Sequence, residues 1–331
     1  PRAITGFENG EYEPSPENLK AISRATGFPV SFFECDIELP ENITASFRSL
    51  ARMSDKKRNA ALASASVAYQ LCDWVDKRLN LPANKIPSLR GEDPKVAAQI
   101  LRAKWGLEAK PIKNMIHLLE SKGVRVFSLA EDNNDVDAFS VWKDETPFIF
   151  LNSQKSSERS RFDAAHELGH LLLHQHATCT GKVAESEADS FASAFLMPQD
   201  ALLRAKRPQN LDDILVLKAK WKVSAVAMLY ALKKAKAITQ WNYDRMIKLA
   251  SIKGWRKIEP SEMNRETSAL WKKAQQVLRD NGLNLADACV DLNLPTDEVS
   301  KILFRLTTVV ITGNAHSKSS SRSSSHLKLV E

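Results

Sequence analysis

The chain has 331 residues, of which 43% are hydrophobic, and a formal net charge of +7. That length and apolar content suffice for two or three packed modules. The sequence contains no run of 18 apolar residues and no visible signal peptide, so we expect no membrane span. Its four cysteines (Cys35, Cys72, Cys179 and Cys289) lie far apart without a Cys-x-x-Cys pair, which excludes a disulfide framework and predicts a cytoplasmic protein.

The positive charge is concentrated in one segment. Residues 201–258 carry fourteen Lys and Arg against three Asp, whereas residues 259–331 contain equal numbers of basic and acidic side chains. A basic surface attracts phosphates, so residues 201–258 are a candidate DNA-binding segment. The alternative, lysines that are simply solvated on helix faces, explains the composition equally well.

Residues 1–38 show the pattern of short helices separated by turns. Gly10 follows the first helix, residues 14–17 open the second, and Gly27 ends it. This region, ITGFENGEYEPSPENLKAISRATGFPVSFF, resembles the second half of an XRE-type helix-turn-helix domain. The resemblance makes the helix ending near F-E-N-G the recognition helix, with the first two helices of such a domain missing. We therefore expect residues 1–38 to be a truncated remnant of such a domain that does not bind DNA by itself.

Helices are predicted again after a connector. Residues 39–93 are expected to form that connector, a long helix over 54–80 and a proline-containing linker. Two helices follow, over 94–106 and 111–122, because apolar side chains recur there at three- and four-residue spacing. Gly123 is the expected C-terminal stop of the second.

The hydrophobic period then changes to two. Residues 124–129, 136–142 and 147–151 are β-branched and aromatic runs, and an acidic turn at 131–135 separates the first two. They predict a small antiparallel sheet packed on the helices that follow. An edge strand of this sheet could pair with an extended peptide through main-chain hydrogen bonds. The alternative is that the sheet is only a scaffold.

A His-Glu-x-x-His motif lies inside the next predicted helix, over 156–174. His166 and His170 are four residues apart and therefore point the same way. Two neutral imidazoles favour Zn²⁺, and a catalytic zinc usually takes three protein ligands plus water. Glu167 lies about a quarter-turn round the helix, where it can reach that water. The motif also arises by chance in long helices, so a third ligand is needed.

The third ligand is sought on a second predicted helix that starts near Glu185 and stops at Pro198. Glu185 and Glu187 are both candidates. We choose Glu185, because Asp189 lies four residues later on the same face and can accept the outer N–H of a zinc-bound imidazole. Glu187 points away from that pair and remains the alternative.

Two further histidines, His174 and His176, begin the loop between these helices. Either could donate a hydrogen bond to an oxyanion; the alternative is that both are simply polar side chains on the protein surface.

The segments RFDAAHELGH and ESEADSFASAFLMP resemble the ImmA/IrrE family of zinc metallo-endopeptidases, with its pattern H-E-L-G-H followed by E-x-x-A-[ND]-x-F-A-x-x-L-M-P. The resemblance is close over residues 95–200. It implies that His166, His170 and Glu185 bind zinc and that Glu167 is the catalytic base. It also implies a protein substrate, a helix-turn-helix repressor whose cleavage releases genes for stress response or mobile-element transfer.

The remaining chain is predicted to be helical up to a Ser-rich tail. Within residues 201–310, a turn-then-helix pattern occurs at 221–232 and again at 283–304, which indicates either helix-turn-helix pairs or a small bundle. Residues 311–331 are expected to be disordered.

The predicted fold class is α+β, with a zincin-like peptidase core over residues 94–200 and helical modules on both sides. The predicted function is zinc-dependent cleavage of a transcriptional repressor. The competing hypothesis is a DNA-binding transcriptional regulator whose peptidase core is vestigial.

Overall fold

The structure is a computed structural model that describes residues 2–34, 55–129, 138–175 and 181–307. These residues form many helices and one small sheet, as expected for an α+β protein. The acidic turn at 131–135, the connector over 39–53 and the Ser-rich tail at 311–331 lie outside the described residues. Within the described part of the chain, no helix combines the length and apolar character that a membrane crossing requires.

The helices are numbered in chain order. The first nine are α1 (Arg2–Glu8), α2 (Pro16–Thr26), α3 (Val30–Phe33), α4 (Asp55–Asp76), α5 (Pro94–Lys104), α6 (Met115–Ser121), α7 (Ser157–Leu173), α8 (Lys182–Leu196) and α9 (Gln199–Arg204). The others are α10 (Leu211–Trp221), α11 (Ala225–Lys234), α12 (Gln240–Ile252), α13 (Leu270–Asp280), α14 (Leu285–Asp291) and α15 (Thr296–Leu303). The predicted helices are confirmed to within a few residues, apart from the start of α6.

Helix α6 begins later than the predicted residue 111 because Asn114 caps it. The Asn114 side chain accepts a hydrogen bond from the backbone N–H of His117 at 2.9 Å. Gly123 follows the helix, as predicted, with a φ of +87°. A Cβ at Gly123 would stand only 2.4 Å from the carbonyl oxygen of Ala83, so this stop also requires glycine for close backbone packing.

The sheet has three strands, β1 (Arg125–Ser128), β2 (Ala138–Lys143) and β3 (Thr146–Leu151), in the order β1-β3-β2. Strand β3 runs antiparallel to β2 but parallel to β1. The predicted all-antiparallel sheet is therefore wrong for one of its two strand pairs. The reason is topological: β2 and β3 form a tight hairpin, and β3 rather than β2 lies against β1.

Both faces of the sheet are buried, each against its own layer of helices. One face carries Val124, Val126, Ala138, Ile149 and Leu151, which pack with residues of α5–α8 and α10–α12. The opposite face carries Phe127, Leu129, Phe139, Val141, Phe148 and Phe150, which pack with residues of α4 and α13–α15. Because successive side chains on a strand point to opposite faces, one short sheet holds two helical layers together.

Each face of the sheet belongs to one hydrophobic cluster: the first contains Val126 and Ile149, and the second contains Phe127 and Phe150. Together the two clusters include residues from both sides of positions 94 and 200, where the predicted peptidase core begins and ends. The domain bounds therefore stay predictions, and the packing shows only which segments share a core. The N-terminal helices join the second cluster, since Phe28 and Phe32 pack against it. There the Ser31 hydroxyl also donates to Asn293 Oδ1 at 2.7 Å.

Buried carboxylates connect the irregular segment between α12 and α13, residues 253–269, to helices α6, α7 and α10. Glu158 accepts from Lys218 Nζ at 2.6 Å and from the backbone N–H of Met263 at 2.9 Å. Glu266 pairs with Arg161 of α7 and also accepts the backbone N–H of Met115 at 2.9 Å. Buried charges are tolerated when they are paired and hydrogen-bonded in this way.

Glu120 makes the last of these attachments, at the start of α13. Its carboxylate accepts from the Ser268 hydroxyl and from the backbone N–H groups of Ala269 and Leu270, at 3.0 and 2.9 Å. Leu270 is the first residue of α13, so Glu120 caps that helix from a different part of the chain. Burial raises the pKa of Glu120 to about 7, although the three donors act in the opposite direction.

Replacing Glu120 with alanine should destabilise the whole fold. The substitution leaves a hydroxyl and two N–H groups without their acceptor, and a buried unsatisfied group costs about 1–3 kcal/mol. We expect Glu120→Ala to lower the free energy of unfolding in urea by at least about 2 kcal/mol. Glu92 is exposed, so Glu92→Ala is the control and should leave the urea midpoint unchanged. Equal midpoints for both variants would contradict this prediction.

Candidate metal centre

Helix α7 has its own local reasons to form. The Ser156 side chain caps it by accepting from the backbone N–H of Arg159 at 3.2 Å. Arg159 then pairs with Asp163 one turn later at 2.9 Å. The helix buries Leu168 and Leu172 in the first hydrophobic cluster, which leaves the histidine face directed towards α8.

Helix α8 packs tightly against α7 at Gly169, in the middle of the His-Glu-x-x-His motif. A Cβ at Gly169 would stand 3.0 Å from Phe191 Cδ1 and 3.3 Å from Ala188 Cα. The absence of a side chain therefore lets the two backbones approach closely. This approach brings the first turn of α8, with Glu185, to the histidines of α7.

The three predicted ligands converge on one point. The Nε2 atoms of His166 and His170 lie 3.0 Å apart. The Glu185 carboxylate oxygens lie 3.5 Å from His166 Nε2 and 3.8 Å from His170 Nε2. One nitrogen or oxygen from each of the three residues falls within 4.8 Å of the others. The structure thus assembles, from two helices, the group that the motif spacing indicated.

The donor set fits Zn²⁺. A tetrahedral zinc with bonds of about 2.0–2.1 Å spaces its ligand atoms about 3.3–3.4 Å apart, and the separations of 3.0, 3.5 and 3.8 Å bracket that value. Two imidazoles and one carboxylate are also a donor set found in catalytic zinc sites, with the fourth position left for water.

The electrostatics of the cluster favour a positive charge. Burial alone would lower the pKa of His166, but hydrogen bonds to Asp189 and Glu185 outweigh it and raise the pKa to about 10. Burial, together with the neighbouring His166 and His174, lowers the pKa of His170. The surrounding carboxylates therefore favour a positive charge at this position, which a metal ion bound to neutral imidazoles would supply.

Asp189 lies where the sequence predicts it. Its Oδ1 is 2.9 Å from Nδ1 of His166, the ring nitrogen on the side away from the ligand cluster. An acceptor at that position fixes the ring orientation and leaves Nε2 directed at the metal position.

Glu187 does not join the ligand cluster. Its Oε2 lies 2.8 Å from His174 Nε2, and His174 Nδ1 lies 2.9 Å from His170 Nδ1. This geometry favours Glu185 over Glu187 as the third ligand. It also places His174 behind His170 rather than in the open loop, whereas His176 lies outside the described residues. The sequence feature that could have predicted this contact is the four-residue spacing between His170 and His174.

Glu167 is buried between α7 and the sheet. Its Oε2 accepts a hydrogen bond from the Ser140 hydroxyl of β2 at 2.7 Å. Burial raises the pKa of Glu167 to about 7, against the opposing effects of the His166 charge and the Ser140 hydrogen bond. A carboxyl group with a pKa near neutrality can both accept and return a proton. Ser140 could not be predicted from the sequence, because nothing in an alternating strand pattern marks the hydroxyl that contacts a buried carboxylate.

Residues 119–233 match the family model of peptidase M78, the IrrE N-terminal-like domain. The matched region contains the sheet, α7 and α8, and it ends within α11. It includes the site residues His166, Glu167, His170, Glu185 and Asp189. A comparison with curated proteins gave no match. The family match supports the ImmA/IrrE part of the resemblance and a metallopeptidase-type function. The helix-turn-helix interpretation of residues 1–38 stays a prediction.

The ligand assignment predicts how metal content responds to substitution. The wild-type protein should retain about one zinc per chain after dialysis, and His170→Ala should lose most of it because two of the three ligands cannot close a catalytic site. Glu185→Gln should also lose zinc, whereas Glu187→Gln should still retain it. The measurement is metal analysis of dialysed protein, with circular dichroism to confirm folding. Zinc loss from Glu187→Gln but not from Glu185→Gln would reverse the assignment.

Proposed function

We propose that the protein is a zinc-dependent endopeptidase that cuts a protein substrate at an exposed, extended segment. One observation carries this proposal: candidate ligand atoms of His166, His170 and Glu185 converge on one point. The buried carboxyl group of Glu167 lies on α7, next to His166 in the sequence. The peptidase family match over the same residues supports it.

The roles of the side chains follow from their positions. When bound, Zn²⁺ would polarise the scissile carbonyl and lower the pKa of its water to roughly 7. Glu167 would accept the proton from the attacking water and deliver it to the leaving amine. Its raised pKa makes both transfers accessible near neutral pH. Ser140 would hold the carboxylate in place during these transfers.

The sheet offers a way to hold the substrate. In the order β1-β3-β2, strand β2 is an outer strand, and its Ser140 contacts Glu167. An extended peptide that added to β2 by main-chain hydrogen bonds would therefore lie along the catalytic helix. This arrangement favours a flexible protein segment over a small amide as substrate.

We further propose that the substrate is a helix-turn-helix repressor, cleaved in trans in the cytoplasm. The resemblance to ImmA/IrrE peptidases supports this substrate class, and the helix-turn-helix resemblance of residues 1–38 associates the chain with gene control. Cleavage in cis near residues 39–53 is a less favoured variant. Coupling of the cleavage to stress or to mobile-element transfer belongs to the same proposal.

The catalytic role of Glu167 is tested with Glu167→Gln. This variant should bind zinc like the wild type but cleave a cognate repressor about 10²–10⁴-fold more slowly, the usual contribution of a general acid–base group. Mass spectrometry of the repressor should show a single cut that requires zinc. Undiminished cleavage by Glu167→Gln would remove this residue from the mechanism. An uncut repressor that nevertheless leaves its DNA when the protein is added would overturn the peptidase proposal.

A second candidate function is DNA binding through residues 201–258. The outward face of α12 supports it: Trp241 is 67% exposed, and the Arg245 guanidinium lies over its ring at 5.2 Å. Lys248 is exposed on the same helix, and Lys253, the residue that follows its last turn, is exposed too. Exposed aromatic rings interleaved with cations can stack on bases and contact phosphates. The assembled donor set of the candidate metal centre argues that this would accompany the peptidase rather than replace it.

DNA binding by α12 should depend steeply on salt. The double variant Arg245→Ala/Lys248→Ala should weaken the gel shift of a DNA fragment several-fold and flatten its salt dependence, because two phosphate contacts are lost. Lys20→Ala, an exposed lysine outside the segment, is the matched control. A flat salt dependence for the wild-type protein, or no shift at low salt, would leave these lysines as a solvated face.

A further inference from the structure

We propose that His174 and Glu187 are positioning residues that hold His170 in the tautomer able to bind a metal. The inference rests on the proposed zinc site, and it concerns a pair of residues that neither the motif nor the family resemblance assigned. Its basis is a continuous chain of hydrogen bonds that runs from the ligand cluster through two imidazole rings to a carboxylate.

The chain of hydrogen bonds has two short links. Nε2 of His170 faces the ligand cluster, and its Nδ1 lies 2.9 Å from Nδ1 of His174. Nε2 of His174 then lies 2.8 Å from Oε2 of Glu187. The side chain of His174 is only 9% exposed, so water competes little for its nitrogens. His170 lies in the last turn of α7 and His174 is the C-cap residue of that helix, while α8 supplies Glu187 two residues after Glu185.

The chemistry of the links decides where each hydrogen lies. An ionised carboxylate only accepts hydrogen bonds, so His174 must carry its hydrogen on Nε2 and donate it to Glu187. When the His174 ring is neutral, its Nδ1 atom is then an acceptor. His170 must therefore donate from its own Nδ1, which leaves the Nε2 lone pair free to bind a metal. The reverse arrangement would place a hydrogen on His170 Nε2, where the metal has to bind.

The same arrangement suits the metal-free cluster. Nε2 of His166 lies 3.0 Å from Nε2 of His170, which is within hydrogen-bond distance. His166 can thus donate to the lone pair that the His174–Glu187 pair exposes on His170. In this arrangement the tautomer of His170 is the same before and after a metal binds.

Each ligand imidazole consequently has an outer carboxylate from α8. Asp189 contacts His166 directly, whereas Glu187 reaches His170 through His174. Outer partners of this kind orient the ring and raise its basicity, and their loss typically lowers metal affinity about 10–100-fold. We expect an effect of that size from His174, although it touches neither the metal position nor the substrate.

The first test is a zinc titration of the metal-free protein in competition with a chromophoric chelator. His174→Phe keeps the ring shape but removes both nitrogens, and it should bind zinc about 10–100-fold more weakly than the wild type. His174→Asn can place its amide oxygen near the position of Nδ1 and should recover most of the affinity. Glu187→Leu should fall between them. His117→Phe replaces an exposed histidine on another helix and should leave zinc affinity unchanged.

The second test needs no metal. Long-range ¹H–¹⁵N correlation of the histidine rings should show the hydrogen of His170 on Nδ1 in the metal-free wild-type protein, and a loss of that preference in His174→Phe. A wild-type protein that fails to bind zinc would overturn the zinc-peptidase proposal. The ring spectra would still show which nitrogen of His170 carries the hydrogen, so they test the role of His174 separately. Unchanged zinc affinity in His174→Phe, or a His170 hydrogen on Nε2 in the wild type, would overturn the role of His174.

Discussion

The close packing of α7 against α8 at Gly169 is the constraint on which the candidate metal centre depends. The contact leaves no room for a Cβ without displacement of Ala188 or Phe191. All three carboxylates that contact the two histidines or His174 come from the N-terminal half of α8. A shift of α8 by a few tenths of an ångström would therefore move Glu185, Glu187 and Asp189 together. The glycine of H-E-L-G-H sets ligand geometry although it binds nothing.

The sheet makes the second contribution, because it is buried on both faces. On its aromatic face, the rings of Phe139 and Phe150 stack with their centroids 4.5 Å apart. The ring of Phe127 packs at a tilt against Trp271, with centroids 5.0 Å apart, and this contact joins the strands to the C-terminal helices. The opposite face supports α7 and presents Ser140 to Glu167. A functional group that is held between a packed strand and a packed helix has little freedom to rotate, and such preorganisation is what a catalytic carboxylate needs.

Much of the site could be predicted because its information is local. The four-residue spacing of His166 and His170 places both rings on one face of any α-helix, and the same rule relates Glu185 to Asp189. Helix ends were equally local: Gly27 and Gly123 adopt the positive φ that a C-terminal stop requires. These properties follow from backbone geometry and hold whatever the rest of the chain does.

Other properties were decided only by the tertiary structure. An alternating pattern assigns residues to the two faces of a strand but does not order the strands, and the parallel pairing of β1 with β3 arises from where the β2–β3 hairpin docks. The Ser140–Glu167 contact spans 27 residues, and the His174–Glu187 contact depends on how α8 is rotated against α7. The sequence by itself determined which side chains share a helix face. The packing of separate elements determined which faces meet, because contacts between elements depend on distances that no local rule contains.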